Sequence, residues 1–136
     1  MKVHSAIALV FVLGVAACDD DNPVSPSDVL GGTWRLISIQ ESGSAPTMVT
    51  DPTRYTLRLV DGGQAEIMSD CNSCGGPYVL SGSSLDIGPV VCTRAFCGDD
   101  SLDPAYPAAL DEAQTISLED DELVIEGGGN TLRFER

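Results

Sequence analysis

Apolar and polar positions alternate along most of the chain after residue 31, in short runs separated by turn residues. Tyr55, Leu57 and Leu59 alternate with polar side chains, for example, and Asp61-Gly62-Gly63 follows them. Such alternation is typical of half-buried strands, and an Asp-Gly pair tolerates the backbone of a tight hairpin turn. The predicted strands lie at 33–40, 55–59, 65–67, 78–80, 85–87, 116–118, 123–125 and 132–134. About eight short strands with turns between them predict an all-β barrel or sandwich.

One segment departs from the strand pattern. Residues 104–113 read PAYPAALDEA and carry several alanines and a leucine. Because proline is tolerated in the first turn of a helix, this composition predicts one short helix. The length of 136 residues suits one domain, and no repeat is visible. We therefore expect a mainly β fold with one short helix in the C-terminal third.

The first eighteen residues have the organisation of an export signal. Lys2 gives a basic start, residues 6–17 form an apolar run, and Cys18 follows. The run is shorter than the about 20 apolar residues that a transmembrane helix needs. The junction Val15-Ala16-Ala17-Cys18 resembles a bacterial lipobox, which implies a lipid on the Cys18 thiol and cleavage before it. The alternative is an ordinary signal peptide with a chance cysteine near its end.

The chain therefore divides into three parts. Residues 1–17 are the predicted lipoprotein signal peptide, residues 18–30 an acidic and proline-containing tether, and residues 31–136 the folded domain. Because two or more lipid chains hold a protein firmly on a bilayer, the anchor would be the lipid. The expected location is the cell envelope, on the periplasmic or surface side of a bacterial membrane.

Charge and composition exclude several classes of function. The chain has 21 acidic residues against 7 lysines and arginines, for a formal net charge of −14. Because this charge repels phosphate backbones, we expect no nucleic-acid partner. The lysine and the histidine stand at positions 2 and 4, so removal of the signal peptide leaves neither. Without them the usual Ser-His, Cys-His, His-metal and Schiff-base arrangements cannot be built, so we expect no enzyme activity and no cofactor.

Four cysteines follow Cys18. Cys71 and Cys74 form a C-x2-C pair, and Cys92 and Cys97 form a C-x4-C pair. Four thiolates suit tetrahedral zinc, whereas an exported chain meets oxidising conditions in which disulfides persist. Export favours two disulfides, and zinc or partly free thiols are the alternatives. A thiol oxidoreductase would use a C-x-x-C at a helix N-terminus, and the strand and turn residues here do not predict one.

Several short motifs occur in a definite order along the chain. The earlier ones are Gly32-Thr33-Trp34-x-Leu36, Cys71-Asn72, Gly76-Pro77-Tyr78, Leu85-Asp86-Ile87 and Thr93-Arg94-Ala95-Phe96-Cys97. The later ones are Ala109-Leu110, Leu123-Val124-Ile125 and Leu132-Arg133-Phe134. Together they resemble the META domain, also called the HslJ-like family, over residues 31–136. The positions that carry the family motif are Trp34, Asn72, Gly76, Tyr78 and Thr93.

This resemblance implies a small lipocalin-like antiparallel β-barrel of about eight strands with one helix. It also implies a disulfide between Cys71 and Cys97, and the additional Cys74 and Cys92 then suggest a second, nested disulfide. Asn72 follows a bridging cysteine in a turn, so we expect it to hydrogen-bond backbone or to accept a positive φ rather than to contact a ligand. The family is associated with heat-shock induction, motility and virulence, and no catalytic activity is established for it.

Acidic loops are the remaining candidates for chemistry. Asp99, Asp100 and Asp103 form the best calcium candidate, because Ca²⁺ binds carboxylate oxygens and Cys97 braces their loop. They lack EF-hand spacing, and acidic loops are usually solvated, so we expect no metal. Arg94 stands out in an acidic chain, and we expect it to pair with a carboxylate across the barrel. Contact with an anionic ligand is its alternative role.

The sequence thus favours a non-enzymatic, lipid-anchored envelope protein that acts by binding or structural support in envelope or heat stress. The alternative is a carrier for a small apolar ligand, because a barrel of about eight strands can hold one ligand inside. An internal cavity of several hundred Å³ would favour the carrier. We expect a monomer whose partners are the membrane, through the lipid, and an envelope protein or a small apolar ligand.

Overall fold

The computed structural model describes residues 24–136, which form ten strands and two α-helices. The strands are β1 (Trp34–Glu41), β2 (Thr47–Met48), β3 (Tyr55–Val60), β4 (Gln64–Ser69), β5 (Asn72–Ser81), β6 (Ser84–Ile87), β7 (Val91–Cys92), β8 (Thr115–Glu119), β9 (Glu122–Gly127) and β10 (Asn130–Glu135). The helices are α1 (Pro26–Val29) and α2 (Ala105–Asp111), and a 3-10 turn spans Pro52–Arg54. Within the described range no helix is long and apolar enough to cross a bilayer.

The ring strands follow the alternation in the sequence. β3 and β4 each bury every second residue, and Gly62 and Gly63 adopt positive φ in the turn between them. Asp120 and Asp121 take φ values of 49° and 67° in the turn between β8 and β9. Short acidic side chains and glycine tolerate this left-handed backbone better than other residues do. The turn residues therefore place the hairpins where the sequence predicts them.

All ten strands lie in one antiparallel sheet, and eight of them close into a ring. The ring runs β1-β3-β4-β5-β6-β8-β9-β10, and six residue pairs between β10 and β1 close it. β2 pairs with β1, and β7 pairs with β5, outside the ring. The predicted barrel of about eight strands is confirmed, and α2 is the predicted short helix.

The ring has one weak seam, between β6 and β8. Ser84 and Thr115 are the residue pair that joins these strands, whereas β8 and β9 pair over five residues. Two backbone bonds flank this pair, from Leu85 N–H to Gln114 O at 3.0 Å and from Ile116 N–H to Ser83 O at 2.9 Å. Helix α2 contacts β4, β6 and β9, and so lies beside this seam.

Side chains fill the barrel interior. Large side chains that expose at most 1% of their surface are Trp34, Leu36, Leu57, Leu59, Leu85, Ile87, Tyr106, Leu110, Ile116, Leu123, Ile125, Leu132 and Phe134. Surfaces that exclude water this completely border no space the size of a water molecule. The interior is therefore a packed core.

The strand order defines two ends of the barrel. The turns at 61–63, 82–83 and 120–121 lie at one end, which we call end A. The turn at 70–71, the segment 88–114 and the turn at 128–129 lie at the other, which we call end B. Successive turns of an antiparallel ring alternate between ends, so segments attached to different turns can lie a barrel length apart.

Residues 24–30 close end A. Val24 and Val29 are buried, and Val29 O accepts a hydrogen bond from Trp34 Nε1 at 3.1 Å. The Arg136 guanidinium lies over the Trp34 ring, 4.7 Å from its centroid, and donates a hydrogen bond to the backbone oxygen of Asp28. The start of the described chain is thus held to the barrel by its last residue.

The folded domain begins earlier than the sequence predicts. The predicted tether covers residues 18–30, but residues 24–30 belong to the fold because Val24 and Val29 bury apolar surface at end A. The remainder of the tether, the signal peptide at 1–17 and the predicted lipid site Cys18 lie outside the described residues.

Strand β5 is longer than the predicted strand at 78–80. Its first six residues include Gly75, Gly76 and Pro77, which are typical turn residues. A Cβ atom at Gly76 would lie 2.6 Å from Pro89 O, so glycine is needed there for close approach of two backbones rather than for a turn. The two-residue strands β2 and β7 are too short to produce an alternation, and the sequence does not predict them.

Candidate functional site

A segment that we call the strap, residues 88–104, leaves β6 and crosses end B to reach α2. Part of it forms β7 along the edge of β5. Cys92 of the strap is bonded to Cys74, and Cys97 is bonded to Cys71. Both predicted disulfides are confirmed, the one that the family resemblance implies and the nested one. They attach the strap to β5 and to the turn that precedes it.

Asn72 is the centre of a polar network beneath the strap. Its buried Oδ1 accepts hydrogen bonds from Ala95 N–H at 2.8 Å and Thr93 Oγ1 at 2.9 Å. Its Nδ2 donates to Ala95 O at 2.9 Å and to Asp103 Oδ2 at 3.0 Å. These four bonds use the full capacity of the amide. Asn72 therefore binds backbone as expected, while the positive φ of this turn falls on Asp70, at 58°.

Thr93 and Asp103 extend this network from the strap to the barrel. Thr93 Oγ1 accepts a hydrogen bond from Ser73 N–H at 3.0 Å. Asp103 Oδ1 accepts one from Ser69 Oγ at 2.8 Å, so both carboxylate oxygens of Asp103 are engaged. The network therefore fixes the geometry of the strap relative to β4 and β5.

The three calcium candidates do not share a site. Asp103 is half-buried and bound to Ser69 and Asn72, whereas Asp99 and Asp100 are exposed. Within residues 24–136 no three His, Cys, Asp or Glu side chains are grouped so that they could hold a metal ion. Both carboxylate oxygens of Asp103 therefore have partners within the protein.

A second polar contact at end B was not foreseen from the sequence. Tyr55 OH donates to Asp70 Oδ2 at 3.2 Å and accepts from Leu102 N–H at 2.9 Å, which ties the strap to β3. The buried Asp70 carboxylate also pairs with the Arg54 guanidinium. The available sequence signal was an acidic residue between a strand and Cys71, which indicates a turn but no partner.

The other motif residues serve the fold in separate places. Trp34 lies at end A, and Gly76 lies where β5 meets Pro89. Tyr78 OH donates to Val60 O at 2.7 Å, and burial, together with the charge of Asp61, raises the pKa of this hydroxyl. Only Asn72 and Thr93 among the motif residues come together.

An open groove of about 820 Å³ lies between the strap and α2. The strap from Val90 to Gly98 forms one wall, and Pro107 and Ala108 of α2 contribute to the other. Two apolar side chains of the strap wall are strongly exposed, Phe96 by 84% and Val91 by 72%. The strap wall therefore presents apolar surface to solvent beside the groove.

Arg94 belongs to the same wall of the groove. It is exposed, and the ion pairs formed within residues 24–136 do not include it. The expected pairing of Arg94 with a carboxylate across the barrel is therefore wrong for the described chain. The reason is that the strap lies outside the ring, where Arg94 faces water instead of the barrel wall.

The model of the META domain family matches residues 27–136 of this chain. The chain belongs to the META domain family. The match starts within α1, in agreement with the packing of residues 24–30 against end A. No curated protein sequence matches the chain.

Solved structures share the fold of this META domain. An NMR structure of a protein from Burkholderia xenovorans superposes with a TM-score of 0.66 at 21% identity, covering 100% of this chain and 98% of that one. A crystal structure of a DUF4847 family protein from Bacteroides vulgatus superposes with a TM-score of 0.59 at 13% identity, covering 81% of this chain and 95% of that one. At these identities the likeness establishes the fold alone.

Proposed function

We propose that the chain is an exported, lipid-anchored protein of the bacterial envelope whose META domain works by binding or structural support, without catalysis. The pair of disulfides on the strap carries the proposal. Disulfides persist in oxidising compartments outside the cytoplasm and are rare inside it. A strap held by two of them suits an exported domain.

The lipid anchor is proposed from the junction before Cys18. Five residues separate Cys18 from Val24, which is buried at end A. Six residue steps span at most about 20 Å, so a lipid on Cys18 would hold end A close to the bilayer. End B, with the strap and its groove, would then face away from the membrane.

The absence of catalysis is proposed from the side chains available. Residues 24–136 contain no histidine and no lysine, and their four cysteines are bonded in pairs. The polar atoms of Asn72, Thr93 and Asp103 are bound to one another and to backbone. Groups that hold each other in this way support a rigid surface better than they support proton transfer.

The packed interior favours this role over the carrier. The barrel core is filled by side chains such as Trp34, Tyr106 and Phe134, and a ligand there would have to displace them. The association of the family with heat-shock induction extends the proposal to envelope or heat stress. A deletion strain should then lose viability at high temperature, and the wild-type gene should restore it.

Cell fractionation tests the anchor and the compartment together. Full-length protein should be recovered with membranes, and the Cys18→Ser variant should be released into the soluble envelope fraction. Ser27→Ala, at an exposed position of α1, is the matched control and should stay with the membranes. Mass spectrometry without reduction should give a mass four hydrogens below that of the tetrathiol. If Cys18→Ser stays with the membranes as the control does, the lipid anchor is contradicted. Free thiols in the purified protein would contradict export.

A further inference from the structure

Among residues 24–136, strand β7 pairs with another strand along one of its two edges. It pairs with β5 through Cys92 with Cys74 and Val91 with Gly75, and Thr93 N–H donates to Ser73 O at 3.0 Å. Hydrogen-bonded and non-hydrogen-bonded positions alternate along an antiparallel pair. Because Thr93 bonds toward β5, the N–H and C=O of Cys92 point away from β5.

Val90, two residues before Cys92, has its backbone groups on the same side of the strand as Cys92 and confirms this direction. Val90 N–H donates to Asp111 Oδ1 of α2 at 2.8 Å, on the side away from β5. The Cys92 backbone groups therefore face the groove between the strap and α2, which Cys92 also lines. The nested disulfide fixes this edge in an extended conformation, so an incoming strand would meet a preformed template.

The groove offers more than an unpaired strand edge. Val91 and Phe96 provide exposed apolar surface along it, and the opposite wall combines the apolar Pro107 and Ala108 with the carboxylate of Asp111. The length of wall from Val90 to Gly98 suits an extended segment better than a compact molecule. Main-chain bonding with apolar contacts on alternate residues is the chemistry of strand addition.

The negative charge of the protein favours some possible occupants of the groove over others. The chain has a net charge of −14, and the groove itself is lined by two carboxylates, Asp103 and Asp111, and by one cation, Arg94. A basic segment would be attracted by this field, whereas a second copy of this chain or an anionic bilayer would be repelled. The membrane is further disfavoured because the groove is at end B, opposite the end that continues toward Cys18.

We propose that the groove binds an extended peptide segment of a partner protein, rich in basic and apolar residues, as an added strand on β7. The segment would exchange main-chain hydrogen bonds with Cys92 and lay apolar side chains against Val91 and Phe96. This inference deepens the binding role proposed above and is independent of the lipid anchor. A failure of strand addition would therefore leave the anchoring experiment unaffected.

Three synthetic probes test the chemistry of the occupant. They are an eight-residue peptide that alternates arginine and valine, its glutamate-valine counterpart, and the arginine-valine peptide with every backbone nitrogen methylated. Each is titrated at low salt into ¹⁵N-labelled chain 19–136, which contains all the described residues. The arginine-valine peptide should saturate and shift the amide signals of Cys92 and Arg94. The other two should not bind, because one is repelled and the other lacks N–H donors.

Two double variants test the place of binding. Val91→Ser with Phe96→Ser removes the apolar contacts and should weaken the arginine-valine peptide about tenfold or more. Val79→Ser with Met48→Ser is the matched control, since these residues are 67% and 68% exposed away from the groove. It should change the affinity by less than about twofold.

Several outcomes overturn the proposal. Equal binding of the basic and acidic peptides, undiminished binding of the methylated peptide, or equal effects of the two double variants would each do so. Concentration-dependent self-association that V91S/F96S abolishes would assign the groove to a second copy instead. Binding to anionic vesicles that requires Phe96 would assign it to a membrane.

Discussion

End A is closed by buried apolar side chains, whereas the strap at end B is held by hydrogen bonds and disulfides. At end A, Val24, Val29 and Trp34 all belong to the core. At end B, none of residues 88–104 is buried, although the neighbouring helix α2 contributes Tyr106 and Leu110 to the core. Burial of apolar side chains therefore stabilises end A, whereas disulfides and polar contacts stabilise the strap at end B.

The difference has a thermodynamic reason. Ordering the backbone costs about 1–2 kcal/mol per residue, and apolar burial normally offsets that cost. The strap buries no whole residue, so its order depends on Cys71–Cys97, Cys74–Cys92 and the network around Asn72. A segment held in this way can keep Val91 and Phe96 exposed without collapsing onto the barrel, as a binding surface requires.

The largest effect is expected at end A. Trp34→Ala removes a fully buried indole and its bond to Val29 O, and should lower the free energy of unfolding by about 3–5 kcal/mol. Urea denaturation followed by circular dichroism measures this. Val79→Ala, at an exposed apolar position, is the control and should cost less than about 0.5 kcal/mol. A loss below about 1 kcal/mol for Trp34→Ala would mean that end A is not part of the cooperative core.

Removing the outer disulfide should be the next largest effect. Cys71→Ser with Cys97→Ser opens a closure of 26 residues, worth about 3–4 kcal/mol in the chain-entropy model. Cys74→Ser with Cys92→Ser should cost less, because that closure spans 18 residues and joins positions already paired as β5 and β7. Denaturation of both double variants gives the comparison, and amide exchange should rise in the strap but not in β1. A larger loss for the inner pair would contradict this order.

Asn72→Ala should have an intermediate effect confined to end B. It leaves Ala95 N–H and the Oδ2 atom of Asp103 without the bonds that Asn72 makes to them, which should cost about 2–3 kcal/mol. Ser73→Ala is the adjacent control, because its bond to Thr93 uses backbone N–H, and it should be nearly neutral. NMR of the variant should show new signals for the strap and unchanged signals around Trp34. Changes at both ends would show that the network also supports the core.

Local sequence patterns predicted the strands of the barrel, but they could not predict contacts between residues that are far apart in the chain. Alternation and turn residues place the ring strands because both depend on neighbouring residues. The partners of Asn72 and Tyr55 are set by the path of the strap, which brings Asp103 and Leu102 across 31 and 47 residues. Such pairs have no local signal, so Asp103 could be read from its neighbours only as a calcium candidate.

The start of the domain shows the same limit. Residues 19–30 read DDDNPVSPSDVL, and their polar composition predicts a tether. Val24 and Val29 nevertheless become core residues, because an open barrel end provides apolar surface to cover. Two valines in a polar segment form no strand or helix periodicity, so the sequence does not reveal that they are buried. The disulfides were predictable because the expectation of export and the family resemblance favoured a pairing that spacing alone leaves open.

The smallest effect, and one of opposite sign, is expected from the buried tyrosine of α2. Within residues 24–136, Tyr106 OH has no hydrogen-bond partner, and it lies among aromatic rings, with Tyr55 at 5.9 Å and Phe134 at 6.2 Å between centroids. Tyr106→Phe should therefore stabilise the protein by about 1 kcal/mol at pH 7, since it removes an unpaired buried hydroxyl. Tyr55→Phe is the control with a bonded hydroxyl and should destabilise by about 1–3 kcal/mol.

Alkaline pH separates the same two variants further. Burial raises the pKa of Tyr106 well above its usual value, so the folded state keeps a proton that the unfolded chain loses. Below pH of about 10, the ordinary tyrosine pKa, both states keep the proton, and above it the unfolded chain gains stability by losing the proton, so the free energy of unfolding falls as the pH rises. The stability of Tyr106→Phe should decline less steeply above that pH than that of the parent chain. Parallel decline in urea titrations at pH 8 and pH 11 would show that the Tyr106 hydroxyl is hydrated rather than sealed in the core.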